Sequence, residues 1–130
     1  MSASYLLVLL TLNANGLPSA AFVNAASAAQ CEQRKAMISG LLRGSGLRLI
    51  GSRCLESDLL FSPYRHDAPA SEKRFVWLVD LSVEPPRLEA MPDRAACEAA
   101  RRSGDGARCA VTDQRPLGWW GRLLLWLGLR

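Results

Sequence analysis

The hydrophobic and polar positions along the chain form two successions of elements that follow the same order. Residues 5–12, YLLVLLTL, and residues 74–81, RFVWLVDL, are apolar runs of strand length. Each run is followed by a turn, a short extended piece and a helix that begins after Ser27 or Asp93, both favourable N-cap residues. A glycine-bearing turn and a final strand close each half. The pattern therefore predicts strand, strand, helix and strand in each half.

The two halves match most closely around their cysteines. Residues 27–35, SAAQCEQRK, and residues 93–101, DRAACEAAR, each place Cys-Glu four residues after the N-cap and end in a basic residue. Gln30 stands where it can complete a capping box with Ser27. These matches indicate an internal repeat, with the first copy at 5–55, a linker at 56–73 and the second copy at 74–112.

The repeat suggests how the halves combine. One half alone buries too little apolar surface to fold stably without a partner or a covalent staple. The main elements follow the order β-α-β-β-α-β, which is that of a ferredoxin-like fold. We therefore predict an α+β protein in which two ββαβ repeats form one ferredoxin-like sheet, with two helices on one face and the short strands at its edges. A single domain should span residues 1–115, followed by a hydrophobic tail at 116–130.

The N-terminal apolar run has a second interpretation. Ala26, Ser27 and Ala28 resemble the small-residue cleavage site of a secretory signal. Residues 1–4 carry no Lys or Arg, however, and the polar segment 13–18 separates the apolar run from that site. The repeat favours a strand at 5–12, and a cleaved signal within residues 1–28 stays open.

The four cysteines stand at equivalent places in the two copies. Cys31 and Cys97 fall in the first turn of a helix, whereas Cys54 and Cys109 fall in the strand that follows. Pairing within each half would join Cys31 to Cys54 and Cys97 to Cys109, and the two other pairings stay open. Disulfides favour an oxidising compartment, which here means the periplasm or cell envelope. A cytoplasmic protein with reduced cysteines and a thiol redox protein are the alternatives.

Motifs for catalysis or metal binding do not emerge from the sequence. The chain has no CxxC pair, and its only histidine, His66, lies in the polar linker. Nucleophile-elbow, zinc-protease, phosphate-loop and dinucleotide motifs are also missing. Asp80 falls in a predicted strand, where it could be a buried functional acid, although such a residue more often faces solvent at an edge or pairs locally. We expect neither an enzyme nor a metal or cofactor site.

The net charge of +4 is unevenly distributed. Residues 1–93 carry nine basic and nine acidic residues, so the excess lies entirely beyond Asp93. Arg94, Arg101, Arg102 and Arg108 could form a basic patch around the second helix, but no aromatic residues alternate with them, and we expect no nucleic-acid partner. A hydrophobic content of 49% with 22% charged residues excludes disordered and collagen-like chains.

The tail is the most apolar part of the C-terminal half. After Pro116 the sequence is LGWWGRLLLWLGLR, too short and too interrupted for a membrane-spanning helix. Trp and Leu with flanking Arg suit a membrane interface. Such a segment could equally pack on its own sheet, join copies of the chain or enter the groove of a protein partner. The predicted contact residues are Trp119, Trp120, Arg122, Leu123, Trp126, Leu127 and Arg130.

Two resemblances accompany these patterns. WLVDL, MPDRAACEAAR and RCAV, within residues 74–112, resemble a type of small uncharacterised bacterial and phage protein with a helix cysteine and a strand cysteine, and residues 5–55 fit it more loosely. That resemblance implies a fold and a disulfide but no activity. The element order is also similar to the SPOR peptidoglycan-binding domain, although the chain lacks that family's Gln-x-Gly-Ser-Phe-like and Val-Gly-x-Phe-like strand ends. No binding residue is carried over.

Taken together, these features predict a small non-enzymatic binding or interaction module associated with the bacterial cell envelope. The paired cysteines and the Trp/Leu/Arg tail motivate the prediction. A cytosolic interaction module with reduced cysteines and a thiol redox protein remain as alternatives.

Overall fold

A computed structural model describes residues 4–13, 16–63, 75–101 and 106–117 of the chain. Six strands and two helices occur within these ranges. In chain order they are β1 Tyr5–Leu12, β2 Pro18–Ala25, α1 Ala28–Leu42, β3 Arg48–Glu56, β4 Phe75–Asp80, β5 Arg87–Met91, α2 Arg94–Ala100 and β6 Arg108–Thr112.

All six strands belong to one mixed sheet with the order β3-β1-β2-β6-β4-β5. Each half contributes an antiparallel unit whose first strand lies in the centre, so that β1 pairs with β2 and β3, and β4 pairs with β5 and β6. The two units meet where β2 and β6 run parallel, with Ser19 opposite Val111. The repeat seen in the sequence therefore becomes two similar three-stranded units side by side.

The predicted ferredoxin-like sheet is wrong. The short extended piece of the first half does not lie at an edge: β2 pairs with β1 from Tyr5 opposite Ala25 to Leu12 opposite Pro18, and it occupies the interior of the sheet. The helical crossover consequently starts from β2 and passes over β1 to reach β3. The apolar runs and turns identified these strands, but they do not specify which strands become neighbours.

Both helices pack on the same face of the sheet. α1 covers an apolar cluster of the first half that includes Leu7, Leu9 and Ile38. α2 covers a smaller cluster around Leu78 in the second half. Because Ser19 pairs with Val111, these two residues and every second residue of β2 and β6 point to that common face. A third cluster, which we call the inner cluster, fills the opposite face. It explains why β1 is apolar at consecutive positions: its side chains are buried on both sides.

The helix starts agree with the sequence. The Ser27 hydroxyl oxygen accepts a hydrogen bond from the Gln30 N–H at 3.1 Å, and the Gln30 side chain accepts one from the Ala26 N–H at 2.7 Å. Asp93 accepts a hydrogen bond from the Ala96 N–H at 2.7 Å. In each helix the cap side chain therefore satisfies an N–H group that the first turn leaves unpaired, and α1 has the additional bond from Gln30.

The sheet curls around the cluster on the face away from the helices. Three strands separate β3 from β4 in the sheet order, yet Arg53 of β3 donates a hydrogen bond to the Leu81 carbonyl at 2.8 Å. The same guanidinium pairs with Glu84 at 2.6 Å. One part of β3 is thereby joined to the turn after β4, which brings the two ends of the sheet towards each other.

Residues 57–63 follow β3 and close the curled sheet at one end. The Asn24 side chain donates a hydrogen bond to the Leu59 carbonyl at 2.6 Å and accepts one from the Phe61 N–H at 2.9 Å. Phe61 is buried and stacks on Phe22 with ring centroids 4.1 Å apart, while its ring meets Trp77 edge-on at 5.4 Å. This part of the predicted linker therefore belongs to the core.

Candidate functional site

Two disulfides occupy equivalent positions in the two halves. Cys31 in α1 bonds to Cys54 in β3, and Cys97 in α2 bonds to Cys109 in β6. Each bond thus fastens the first turn of a helix to a strand of its own half, and the described residues contain no free cysteine. Two disulfides indicate an oxidising environment.

The sulfur atoms are poorly placed for exchange chemistry. Cys31 and Cys97 are fully buried and Cys109 is 2% exposed, whereas Cys54 is half-buried. Thiol–disulfide exchange requires an attacking thiolate to reach a sulfur atom of the bond. The arrangement favours structural bonds over a catalytic pair.

The predicted buried acid has a local partner. Asp80 is 2% exposed, and its carboxylate accepts hydrogen bonds from both the backbone N–H and the hydroxyl of Ser82. A Cβ atom at Gly106 would lie 2.5 Å from the Ser82 hydroxyl oxygen. Asp80 therefore stabilises the turn after β4, in a place where the neighbouring backbone approaches too closely for a side chain.

Among the arginines that could form a basic patch, Arg94 and Arg108 are exposed, and Arg101 pairs with Glu98 at 3.2 Å. Arg102 lies outside the described residues. His66 also lies outside them, as do the tail positions, which are Trp119, Trp120, Arg122, Leu123, Trp126, Leu127 and Arg130.

The described part of the chain shows neither a metal-ligand cluster nor a membrane-spanning helix. Within it, no group of three or more His, Cys, Asp or Glu side chains is arranged to hold a metal ion. None of its helices has the length and apolar character needed to cross a membrane.

A groove at the edge of the sheet is the feature that sequence reasoning missed. It has a volume of about 530 Å³ and is open to solvent on one side. Its lining residues are mainly apolar: Leu59, Trp77, Leu88, Glu89, Ala90 and Met91. Trp77 is 5% exposed and forms the floor, where the groove meets the inner cluster of the sheet. The groove thus opens beside the outermost strand, β5.

The edge of β5 itself lines this groove. Four consecutive residues, 88–91, contribute to the lining, although successive side chains of a strand point to opposite faces. The lining therefore includes residues from both faces of β5. Among the described strands, β5 pairs only with β4. The groove therefore combines an apolar floor with a strand edge whose N–H and C=O groups can accept a further strand.

A weak signal for the groove was present in the sequence. Leu88 and Ala90 alternate with Arg87 and Glu89, as in a strand with one apolar face. The opposite wall comes from Leu59, which lies 29 positions before Leu88 in a segment that resembles a solvated linker. Sequence spacing does not reveal that this segment crosses the end of the sheet.

Comparison of the chain with models of protein families, with curated proteins and with solved structures finds no match. The resemblance of residues 74–112 to small bacterial and phage proteins therefore stays a prediction, as does the similarity to the SPOR domain. The candidate site rests on the groove and on the two disulfides.

Proposed function

We propose that the chain is a non-enzymatic binding domain of the bacterial cell envelope, and that the groove beside β5 binds an extended apolar segment. The observation that carries the proposal is the coincidence of an apolar floor at Trp77 with an exposed strand edge at residues 88–91. An extended peptide can add to such an edge through backbone hydrogen bonds and insert alternate side chains into the adjoining groove. The volume of about 530 Å³ lies within the range of ligand pockets.

The charges around the groove favour a ligand without strong net charge. Glu89 is the one ionisable residue that lines it among the described positions, and its carboxylate already pairs with Arg87 at 2.9 Å. Both side chains are about half exposed, so the pair is screened by water and adds little energy. Affinity should therefore come from apolar burial and from hydrogen bonds to the strand edge.

Binding can be measured with a fluorescein-labelled peptide, Ser-Val-Thr-Val-Thr-Val-Ser, titrated with the full chain. The Ala90→Arg substitution places a long charged side chain at an exposed position of the groove and should weaken binding at least about tenfold, which corresponds to 1.4 kcal/mol. Leu41→Arg is the control, because Leu41 is 70% exposed on α1 and does not line the groove. Equal binding by all three proteins, or no saturable binding, would contradict the proposal.

The compartment is supported by the paired cysteines. Bonds that close loops of 23 and 12 residues each stabilise a small domain by about 3 kcal/mol, and a reducing cytoplasm would remove that contribution. Protein alkylated in its bacterial cells and then analysed by mass spectrometry should contain no free thiol. Four alkylated cysteines would instead favour the cytosolic interaction module, and one rapidly alkylated cysteine would favour the redox protein.

The C-terminal segment, residues 118–130, supports a second contact. Its Trp, Leu and Arg content suits a membrane interface, and the same composition suits an apolar protein partner or another copy of the chain. The groove and the C-terminal segment would then be two binding elements of one envelope-associated module.

A further inference from the structure

We infer that the groove beside β5 is occupied by the chain's own C-terminal segment, residues 118–130, whenever no other ligand holds the groove. This inference rests on the proposed function, because it names a ligand for the same site. It follows from where the chain leaves the described domain, from the length of the segment and from the chemistry of the two surfaces.

The chain leaves the domain beside the wall of the groove. The Leu117 N–H donates a hydrogen bond to the Leu60 carbonyl at 2.7 Å, and the Ser62 N–H donates one to the Arg115 carbonyl at 2.9 Å. Residues 115–117 are therefore held antiparallel to residues 60–62, with Phe61 opposite Pro116. Leu60 is the direct neighbour of Leu59, which lines the groove. The segment that follows Leu117 thus starts next to its proposed site.

The length of the segment is sufficient. Thirteen residues follow Leu117, and an extended chain advances about 3.3 Å per residue, so the segment reaches about 40 Å. β5 has five residues, equivalent to roughly 17 Å by the same rise. The segment can therefore cross from Leu59 to β5 and still run along the whole strand edge.

The chemistry of the two surfaces is complementary. The segment contains three Trp and five Leu residues, carries Arg122 and Arg130, and has no acidic residue. The groove offers mainly apolar walls. Leu60 and Leu117 are 48% and 42% exposed at the point of exit, so apolar side chains are open to water where the segment begins. Docking would remove the apolar surfaces of the groove and the segment from water.

Tethering makes the segment a strong competitor. A short flexible linker gives a tethered ligand an effective concentration of about millimolar. An external peptide must therefore displace the segment, and the segment becomes available to a membrane or a protein partner when the groove is filled by another ligand. The domain would couple its two contacts by competition.

The inference can be tested by photo-crosslinking in the full chain without added peptide. We would replace Glu89, on the rim of the groove, with p-benzoylphenylalanine, and prepare a control with the same residue at Met37, which is 60% exposed on α1. Irradiation at low protein concentration should link position 89 to residues 118–130 of the same chain, as identified by mass spectrometry, and position 37 should give no such link. Mass spectrometry of both disulfides would verify that each protein is folded.

Several results would overturn the inference. A crosslinked dimer whose yield falls on dilution would show that a second copy fills the groove. Absence of the link at position 89, together with flotation of the same protein on phosphatidylglycerol vesicles, would place the segment at a membrane. Loss of the intramolecular link, while the Val-Thr peptide still binds and Ala90→Arg still weakens it, would refute the inference and leave the proposed function intact. If neither the intramolecular link nor saturable binding of the Val-Thr peptide is observed, both the inference and the proposed function are refuted.

As a second readout, the full chain carrying Trp119→Ser, Trp120→Ser and Trp126→Ser should bind the Val-Thr peptide at least about tenfold more tightly than the parent. Removing three large aromatic rings weakens the internal competitor without changing any residue of the groove. An unchanged affinity would contradict the inference.

Discussion

One buried glutamine joins the two halves of the sheet. Gln114 is fully buried, and its side chain accepts a hydrogen bond from the Phe22 N–H at 2.7 Å and donates one to the Phe22 carbonyl at 2.6 Å. The same amide donates to the Ser62 carbonyl at 2.7 Å. β2 and β6 share only the register pair Ser19 and Val111, so the Gln114 amide takes the place of backbone pairing where the strands separate.

We predict that Gln114→Leu lowers the free energy of unfolding by about 3 kcal/mol. The substitution keeps an apolar side chain of similar size but leaves the Phe22 N–H, the Phe22 carbonyl and the Ser62 carbonyl without these partners, and each buried unsatisfied group costs about 1–3 kcal/mol. Arg115→Leu at the exposed neighbouring position is the control. If urea unfolding gives similar stabilities for both variants, the Gln114 amide is not required where β2 meets β6.

A second residue-level prediction concerns Phe61. Its ring is 6% exposed and contacts Phe22 and Trp77, so Phe61→Ala should destabilise the protein by about 3 kcal/mol or more. Leu60→Ala, at a position 48% exposed, should cost far less. Tryptophan fluorescence during urea unfolding measures both changes. Comparable small losses would mean that residues 57–63 are a surface segment.

Among the elements, the two helices depend on their disulfide bonds to different extents. α1 has 15 residues, whereas α2 has seven, fewer than an isolated helix needs in water. The bond between Cys97 and Cys109 therefore holds an element that has little stability of its own. The longer α1 also buries Ile38 and Leu42 against the sheet.

We predict that the Cys97→Ala, Cys109→Ala double substitution costs about 3 kcal/mol and that the Cys31→Ala, Cys54→Ala double substitution costs about 0.6 kcal/mol more. The bond between Cys31 and Cys54 closes a loop nearly twice as long, 23 residues against 12, and the entropy of loop closure grows slowly with length. Urea midpoints of the two oxidised variants test this order. A clearly larger loss without Cys97 and Cys109 would show that packing of α2 outweighs loop entropy.

The elements also show what the sequence can and cannot specify. The apolar runs, the N-caps and the two similar cysteine segments predict the helices and strands, because these signals are local. The neighbours of β2 depend on how two distant segments combine, and the pattern of Ser19–Val23 carries no information about pairing with β6. The groove depends in the same way on Leu59 meeting β5 across the end of the sheet.

For the whole molecule, the proposed contacts lie at one end of the curled sheet. Residues 60–62 pair with residues 115–117 there, and the groove opens alongside them. Ligand binding and the start of the C-terminal segment therefore share one region, away from the exposed α1 positions Met37 and Leu41.

The proposed membrane contact predicts that the molecule binds vesicles once another ligand fills the groove. With saturating Val-Thr peptide, the full chain should float with phosphatidylglycerol-containing vesicles, and the full chain with Trp119→Ser, Trp120→Ser and Trp126→Ser should float at least about tenfold less, because Trp anchors segments at the interface. Met37→Ser and Leu41→Ser, on the exposed side of α1, provide a control. Equal flotation of the parent and the Trp variant would exclude a membrane contact through these tryptophans.

The groove is the centre of this account, and mapping the Val-Thr peptide on the ¹⁵N-labelled protein by nuclear magnetic resonance tests it most directly. The largest chemical-shift changes should occur at the backbone amides of residues 88–91, at the Leu59 amide and at the Trp77 indole N–H, because these residues line the groove. Shifts confined to α1, or no saturable shifts, would contradict it.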